Sequence, residues 1–243
     1  MPRTRRAPTV PVICTGLLTC TACAFVSACG SDSDRMVDTS SVSTMLMTRD
    51  DTPPGYTWNS VAEVLRDAGD DLGQQIDAEA ASVKVEPDYC AALVPTSTSI
   101  IAELHDHGDT TGAVEFLPED SNDPAVVDAV VSTSDDGDTA SLASGRVSAD
   151  RCSDFTRTRD DGSVTHFRAD SSRASLASPD DTTVITVLSD SVTPGEELVT
   201  TITGTVDGVH FRIAASGVTD TQILTDLAEK QVRHIIEVME GQD

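Results

Sequence analysis

The stretch LVTTITGTVDGVHFRIAASG, residues 198–217, contains two alternating, β-branched runs separated by Asp207-Gly208. Alternation of this kind is typical of strands with a buried face, and an Asp-Gly pair between two such runs is a strong signal for a tight hairpin turn. We therefore expect antiparallel strands over 198–206 and 209–215. The run at 183–188 has the same character and adds a third antiparallel strand.

An amphipathic helix is expected directly after this hairpin. Residues 219–222, Thr-Asp-Thr-Gln, resemble a capping box, and the apolar residues that come after them fall on one broad helix face. These residues are Ile223, Leu224, Leu227, Ala228, Val232, Ile235, Ile236 and Met239. Such a face must cover an apolar surface. The preceding strands supply it, so the fold class is α+β, an antiparallel sheet packed by helices that include a long C-terminal one.

The contact between this helix and the sheet is a candidate ligand site. If Gly204, Ala214 and Ala215 all face the helix, their small size leaves a groove between helix and sheet. The side chains that would line the groove are Leu224, Leu227 and Ile235. The alternative is a closed core, which the near-crystalline packing density of protein interiors favours.

Shorter elements are expected upstream of the hairpin. We expect a helix from Ser60 that includes Leu72 and Ile76, a helix through Ile100 that stops at Gly108, strands at 113–117 and 126–132, a helical stretch over 139–154, and a hairpin of strands 155–158 and 163–167 around Asp160-Asp161-Gly162. No repeat divides the 243 residues, which indicates a single domain over 44–243.

The charge balance limits the partners. Lys and Arg number 16 against 41 Asp and Glu, which gives a formal net charge of −25. Such a surface repels phosphate backbones, so nucleic acid is excluded as a partner. Acidic runs at 119–123 and 135–138 lack the spacing of a calcium loop, and we interpret them as solvated turns.

The N-terminus has the organisation of an export signal. Three arginines, at positions 3, 5 and 6, precede an uncharged stretch from Val10 to Val26 that is mostly apolar or small. Two prolines and three threonines in this region favour a cleaved signal peptide, residues 1–28, over a membrane-spanning helix. No second apolar run of comparable length occurs after it.

Val26-Ser27-Ala28-Cys29 resembles a bacterial lipobox, in which an aliphatic residue and two small ones precede the cysteine. We expect Cys29 to carry acyl chains, a palmitate-type modification that anchors the protein to the outer side of the cell membrane. The alternative is an ordinary secretory signal. Residues 29–43 are short, polar and rich in Ser and Asp, which predicts a flexible tether.

Cys90 and Cys152 are the cysteines that remain in the mature chain if Cys29 is lipidated. An even number in an exported protein indicates one disulfide bond. A metal site is disfavoured because neither cysteine has a second cysteine or a histidine at ligand spacing. Accordingly, we expect no metal and no cofactor.

Motifs that carry chemistry are weak in this sequence. It contains no nucleophile elbow, phosphate-binding glycine loop or zinc-protease helix. His105-Asp106-His107 is either a metal site or the last turn of a helix, where imidazoles interact favourably with exposed carbonyls. The pattern favours the second interpretation. The other histidines, His166, His210 and His234, have no partner that spacing identifies.

Tyr56 and Trp58 stand out because aromatic residues make up only 3% of the chain and Trp58 is its one tryptophan. They either anchor the N-terminal segment in the core or line a binding groove. The sequence leaves both interpretations open, and Trp58 joins Leu224, Leu227 and Ile235 as a candidate ligand-binding residue.

Several stretches together resemble a known family. A lipobox, a tether, MLMTRDDTPPGYTW (45–58), PDYCAAL (87–93), SADRCSDFT (148–156) and VHFRIAASG (209–217) are similar to stretches of actinobacterial cell-envelope lipoproteins. Those proteins in turn resemble the extracellular sensor domain of mycobacterial membrane serine/threonine kinases. The resemblance implies an α+β domain with a groove, a disulfide and small-ligand binding, and it carries over no catalytic residue.

These observations predict a non-catalytic envelope lipoprotein, anchored to the extracytoplasmic face of the membrane, whose sensor-like domain binds a small or lipidic ligand or a partner protein. Two alternatives remain. One is an envelope hydrolase with a histidine-centred site. The other is a lipoprotein with a purely structural or interaction role.

Overall fold

The computed structural model describes residues 40–68, 72–120, 122–123, 125–133, 149–173, 176, 181–189, 199–218 and 220–241. The helices in this part of the chain are α1 (Ser40–Met45), α2 (Val61–Asp67), α3 (Leu72–Ser82), α4 (Ser97–His107) and α5 (Thr221–Glu240). The strands are β1 (Tyr56–Ser60), β2 (Val83–Glu86), β3 (Thr111–Pro118), β4 (Val126–Ser132), β5 (Asp154–Arg159), β6 (Val164–Arg173), β7 (Asp181–Ser189), β8 (Val199–Val206) and β9 (Val209–Ser216). Short 3₁₀ segments lie at Arg49–Asp51, Asp88–Leu93 and Ala149–Arg151.

The strands form a nine-stranded sheet in the order β1-β3-β4-β9-β8-β7-β6-β5-β2, and every neighbouring pair is antiparallel. Asp207 and Gly208, both with positive φ, make the turn between β8 and β9. The predicted hairpin, the third strand β7 and the α+β class are all confirmed.

Helices cover both faces of this sheet. Successive side chains of a strand point to opposite faces, and in β3 Val114 packs into the core with α5 whereas its neighbour Ala113 packs with α4. Strands β3 and β4 are therefore buried at most positions instead of at alternate ones. We call the face that carries α5 the α5 face and the opposite one the α4 face.

The α5 face holds the largest cluster of buried residues. Helix α5 and the N-terminal helix α1 pack there against β3, β4, β8 and β9. Side chains of α5 in this cluster include Leu224, Leu227, Val232 and Ile235, which are between 0% and 5% exposed. The carboxylate of Asp220 accepts a hydrogen bond from the amide of Gln222 at 3.0 Å, and it caps the helix.

The α4 face carries two smaller clusters. Helices α2 and α4 pack on β3 and β4 through Val61, Ile100, Leu104, Ala113 and Val130. The second cluster lies over β5, β6 and β7 and contains both cysteines with Phe155, Phe167 and Val187. No helix in the described part of the chain has the length and hydropathy needed to cross a bilayer.

Some expectations need correction. The single helix expected from Ser60 through Ile76 is two helices, α2 and α3, and α2 ends at Asp67. The helical stretch expected over 139–154 contains, in its described part, only the 3₁₀ turn Ala149–Arg151, and Asp154 begins β5. The cap of α5 is Asp220 and not a box begun by Thr219.

The predictions for the N-terminus fall mostly outside the described residues. They are the signal peptide 1–28, the lipidation of Cys29 and the tether over 29–39. The last residues of the expected tether, 40–43, belong instead to α1, where Val42 is 1% exposed because it packs into the α5-face cluster.

Candidate functional site

A half-open cavity of about 530 Å³ is bordered by α3, β2, the 3₁₀ segment Asp88–Leu93, the link that connects this segment to α4, and α4 itself. Its apolar lining includes Ile76, Ala80, Val83, Val85, Val94 and Ala102. The volume lies within the range of about 300–1,000 Å³ that is usual for small-molecule sites, which are mostly apolar with a few polar groups. The cavity is therefore the candidate functional site.

Helices α3 and α4 form two walls of the cavity and are joined across it. The hydroxyl of Thr98 donates a hydrogen bond to the carboxylate of Glu79, and both side chains line the cavity. The start of α4 is fixed by a capping box, in which Thr96 Oγ1 accepts from the Ser99 amide at 3.1 Å and Ser99 Oγ accepts from the Thr96 amide at 2.8 Å. These bonds hold the α4 wall in place without a ligand.

The opposite side of α4 is anchored in the core. Ile100 and Leu104 are 1% and 5% exposed and pack on Ala113 of β3 and Val130 of β4. Helix α4 ends at His107, immediately before Gly108, as the sequence predicted. Because the core fixes one side of the helix, the other side is presented to the cavity in a defined orientation.

The disulfide Cys90–Cys152 fixes the third wall. Cys90 lies in the 3₁₀ segment that supplies Asp88 and Ala91 to the cavity, and its sulfur is bonded to that of Cys152 at 2.07 Å. Both residues are fully buried, beside the stacked rings of Phe155 and Phe167. The predicted disulfide is confirmed.

A second link joins the same two segments. The guanidinium of Arg151, one residue before Cys152, lies 4.6 Å from the centre of the Tyr89 ring, next to Cys90. The Tyr89 hydroxyl donates a hydrogen bond to the Arg151 carbonyl at 3.4 Å. The wall formed by Asp88–Leu93 is thus joined to the 3₁₀ segment Ala149–Arg151 beside the disulfide as well as through the disulfide itself.

The ionisable groups around the cavity are mainly carboxylates. Glu79, Asp88, Glu103 and Asp106 line it, against Lys84 and His107. The Lys84 ammonium forms an ion pair with Glu86, whose hydrogen bond and charge raise the pKa of the lysine. Lys84 is therefore cationic but already bound to a carboxylate outside the cavity lining.

A separate pair of charged side chains is buried in the α4 face of the sheet. Asp128 of β4 and Arg212 of β9 lie at diagonal positions, since Val130 is paired with Arg212 and Asp128 with Ala214. Burial raises the pKa of Asp128 to about 7, repulsion by Glu115 adds to this effect, and attraction by Arg212 opposes it. Burial lowers the pKa of Arg212 to about 10. Neither side chain lines the cavity.

The cavity does not lie in the groove that was considered under α5, since no residue of α5 lines it. Leu224, Leu227 and Ile235 are 0–1% exposed inside the α5-face core and do not line the cavity. Ala215 faces α5, but Ala214 lies on the opposite face of β9, because neighbouring strand residues alternate. The condition that all three small residues face α5 is therefore not met.

Gly204, the third small residue of that predicted groove, does not leave a gap. A Cβ atom built on it would lie 2.6 Å from Cε1 of Phe211. The ring of Phe211, which is fully buried, therefore occupies the space beside the glycine.

Trp58 anchors the segment after α1 to the α5-face core. It is half-buried against that core, and its indole N–H donates to the Met47 carbonyl at 3.2 Å. The Arg49 guanidinium lies 5.5 Å from the ring centre. Trp58 does not line the cavity, and neither does Tyr56. These contacts agree with the interpretation of Trp58 as an anchor.

The histidines are distributed over several elements. His105 Nδ1 lies 2.9 Å from the carboxylate of Asp106, His210 Nδ1 lies 3.0 Å from the Thr205 hydroxyl, and His234 Nε2 lies 2.9 Å from the Asp51 carboxylate. His107 lines the cavity, and His166 lies on β6. Among the described residues, no three His, Cys, Asp or Glu side chains are grouped as a metal site.

The two edge strands of the sheet, β1 and β2, were not predicted from the sequence, and β2 also borders the cavity. Strand β2 reads Val83-Lys84-Val85-Glu86, an alternating run just before Pro87, and this short alternation was the available signal. Strand β1, at the other edge of the sheet, was also missed.

No family model and no curated protein matches the chain. Among solved structures, the extracellular domain of PknH from Mycobacterium tuberculosis is similar, with a TM-score of 0.41 and 14% sequence identity. The match covers 65% of this chain and 78% of that one. A likeness at this level identifies neither a family nor a function.

Proposed function

We propose that this chain is a non-catalytic, lipid-anchored binding protein of the cell envelope whose cavity between α3, β2 and α4 takes a small amphipathic ligand. The single observation that carries the proposal is the cavity of about 530 Å³ with its largely apolar lining. A concave, largely apolar space of that size, with polar groups at a few positions, is the usual arrangement of a small-ligand site.

The bonds around the cavity support a preformed site. The Cys90–Cys152 disulfide fixes the 3₁₀ wall, and the Thr98–Glu79 hydrogen bond joins the two helical walls. A site that is already ordered loses little conformational freedom when it binds, which favours affinity.

The lipid anchor is proposed from the sequence alone. Residues 26–29 resemble a lipobox and come after an export signal. Replacement of Cys29 by Ala should release the protein from membranes or leave an unprocessed precursor, measured by fractionation and by the mass of the N-terminal peptide. Recovery of that variant as a mature, membrane-bound protein would exclude lipidation of Cys29.

The binding function is tested by filling the cavity. Both Ala78 and Ala80 of α3 are exposed, but only Ala80 lines the cavity. We expect Ala80→Trp to weaken binding of the neutral fluorescent probe Nile red at least tenfold, and Ala78→Trp to leave it unchanged. Circular dichroism would verify that both variants fold. Equal binding by both variants would overturn the proposal.

A further inference from the structure

The charges around the cavity carry information about the ligand. Four carboxylates line it, and of its two basic groups Lys84 is already paired with Glu86. Asp88 and Asp106, two of these carboxylates, are exposed at the surface, where they contribute to a negative potential at the rim, and Asp106 also lies 2.9 Å from His105 Nδ1. The whole chain adds to this potential with a formal net charge of −25.

The arrangement of these carboxylates distinguishes between two kinds of cation. A metal ion requires several ligand atoms at a common centre, within about 2–2.6 Å. The described residues include no such group of three, and the lining that contains the carboxylates is otherwise largely apolar. An organic cation with an apolar body fits this pattern, since it needs apolar contact over its length and negative charge near one end.

We infer that the ligand of this cavity is an amphipathic cation: a small molecule with an apolar body and an amine that is protonated at neutral pH. The inference rests on the proposed binding function and adds the charge of the ligand to it. The apolar body lies against Ile76, Val83 and Val94, and the ammonium lies near Asp88 or Asp106. The carboxylates repel anionic amphiphiles such as fatty acids.

The test is a series of ligands that share one apolar tail. Binding of octylammonium, 1-octanol and octanoate to the purified protein is measured by calorimetry at pH 7.5 and low ionic strength. We expect octylammonium to bind at least tenfold more tightly than 1-octanol, and octanoate to bind most weakly. The preference for octylammonium should decrease as salt is added, because salt screens the rim carboxylates.

Matched variants test which carboxylates cause the preference for octylammonium over 1-octanol. In Asp88→Asn/Asp106→Asn two lining carboxylates are neutralised, and in the control Asp67→Asn/Asp77→Asn two exposed carboxylates outside the lining are neutralised. We expect the first pair to reduce the ratio of octylammonium to 1-octanol affinity at least threefold and the control to leave that ratio unchanged.

The outcomes separate the inference from the proposed function. If 1-octanol and octylammonium bind equally, or octanoate binds best, the inference is overturned while the cavity remains a binding site. If no ligand of the series binds, and Ala80→Trp has no effect on Nile red, the binding function itself is wrong. An equal effect of the two double variants would also overturn the inference, because it would assign the preference to the overall charge.

Discussion

The side chain of Gln231 in α5 is bonded to the main chain of Met45: its Nε2 donates a hydrogen bond to the Met45 carbonyl at 2.5 Å. The Oε1 of the same amide accepts from the Met47 amide at 3.4 Å. Gln231 is fully buried, so water cannot replace either bond. A single polar side chain in an apolar helix face thereby fastens the segment after α1 to the C-terminal helix.

Replacing Gln231 by Leu should destabilise the fold by about 2–4 kcal/mol, because it leaves the carbonyl of Met45 and the amide of Met47 buried without partners. Urea unfolding measures the change. The control is Glu229→Leu, an exposed position two residues earlier on α5, which should change the stability by less than about 0.5 kcal/mol. Equal effects of the two substitutions would contradict the role assigned to Gln231.

Gly204 should not tolerate even a methyl group. A Cβ there would lie 2.6 Å from the buried Phe211 ring, so Gly204→Ala should cost about 1–3 kcal/mol through overpacking. At Gly73 in α3 nothing lies within 4 Å of the added Cβ, and Gly73→Ala should stabilise by about 0.5–1 kcal/mol. Thermal unfolding of the two variants should show stability changes of opposite sign. A stable Gly204→Ala would mean that the ring does not occupy that space.

Leu227→Trp tests whether the contact between α5 and the sheet is closed. Leu227 is 1% exposed, and the larger ring should destabilise the protein by about 1–3 kcal/mol. The exposed neighbour Asp226 provides the control, Asp226→Trp, which should have little effect in urea unfolding. Normal stability of Leu227→Trp, together with weaker binding of Nile red, would restore the groove under α5.

The strands of the hairpin and α5 could be predicted because their side chains repeat with clear periods over eight to twenty residues. The same alternation would have placed Ala214 correctly, since Val209, Phe211, Ile213 and Ala215 share one face and their neighbours take the other. The sequence analysis considered Ala214 only as a small residue and did not assign it to a face of β9.

Strands β1 and β2 were missed for a physical reason. They have five and four residues and lie at the edges of the sheet, where burial on one or both faces is incomplete. The cavity was missed with them, because it exists only when β2 pairs with β5 and brings α3 next to α4. That pairing joins Val83 to Arg159, residues far apart in the sequence, and no local pattern encodes it.

The disulfide should contribute strongly to stability. It closes a loop with a sequence separation of 62, for which the chain-entropy model gives about 4 kcal/mol. Replacing both Cys90 and Cys152 by Ser should lower the free energy of unfolding by roughly that amount, measured in urea. Neither Cys90 nor Cys152 of the native protein should react with maleimide until the disulfide is reduced. Free labelling of both would exclude the bond.

Asp128 should make the stability depend on pH. Its pKa is about 7 in the folded protein against an ordinary value of 3.8, so between these values the folded state holds a proton that the unfolded state has lost. The contribution of Asp128 is therefore fully present below about pH 4 and is lost as the pH rises to about 7, a change of about 4 kcal/mol.

The variant Asp128→Asn removes this titration, so its stability relative to that of the wild type should rise between about pH 4 and pH 7. The control Asp170→Asn, at an exposed site on β6, should show no such trend in urea unfolding. Parallel pH profiles of Asp128→Asn and the wild type would show that Asp128 does not titrate in this range.

The attachment of α1 and the segment after it to α5 determines where mechanical force would act. Besides Gln231, the Lys230 ammonium donates to the Asp51 carbonyl at 2.9 Å and His234 contacts the Asp51 carboxylate. A pull on the chain before Ser40 is transmitted through these bonds to α5, on one side of the sheet. The cavity walls α3 and α4 belong to the other side. Tension at the N-terminus would thus act first on the C-terminal helix, on the face of the sheet opposite α4.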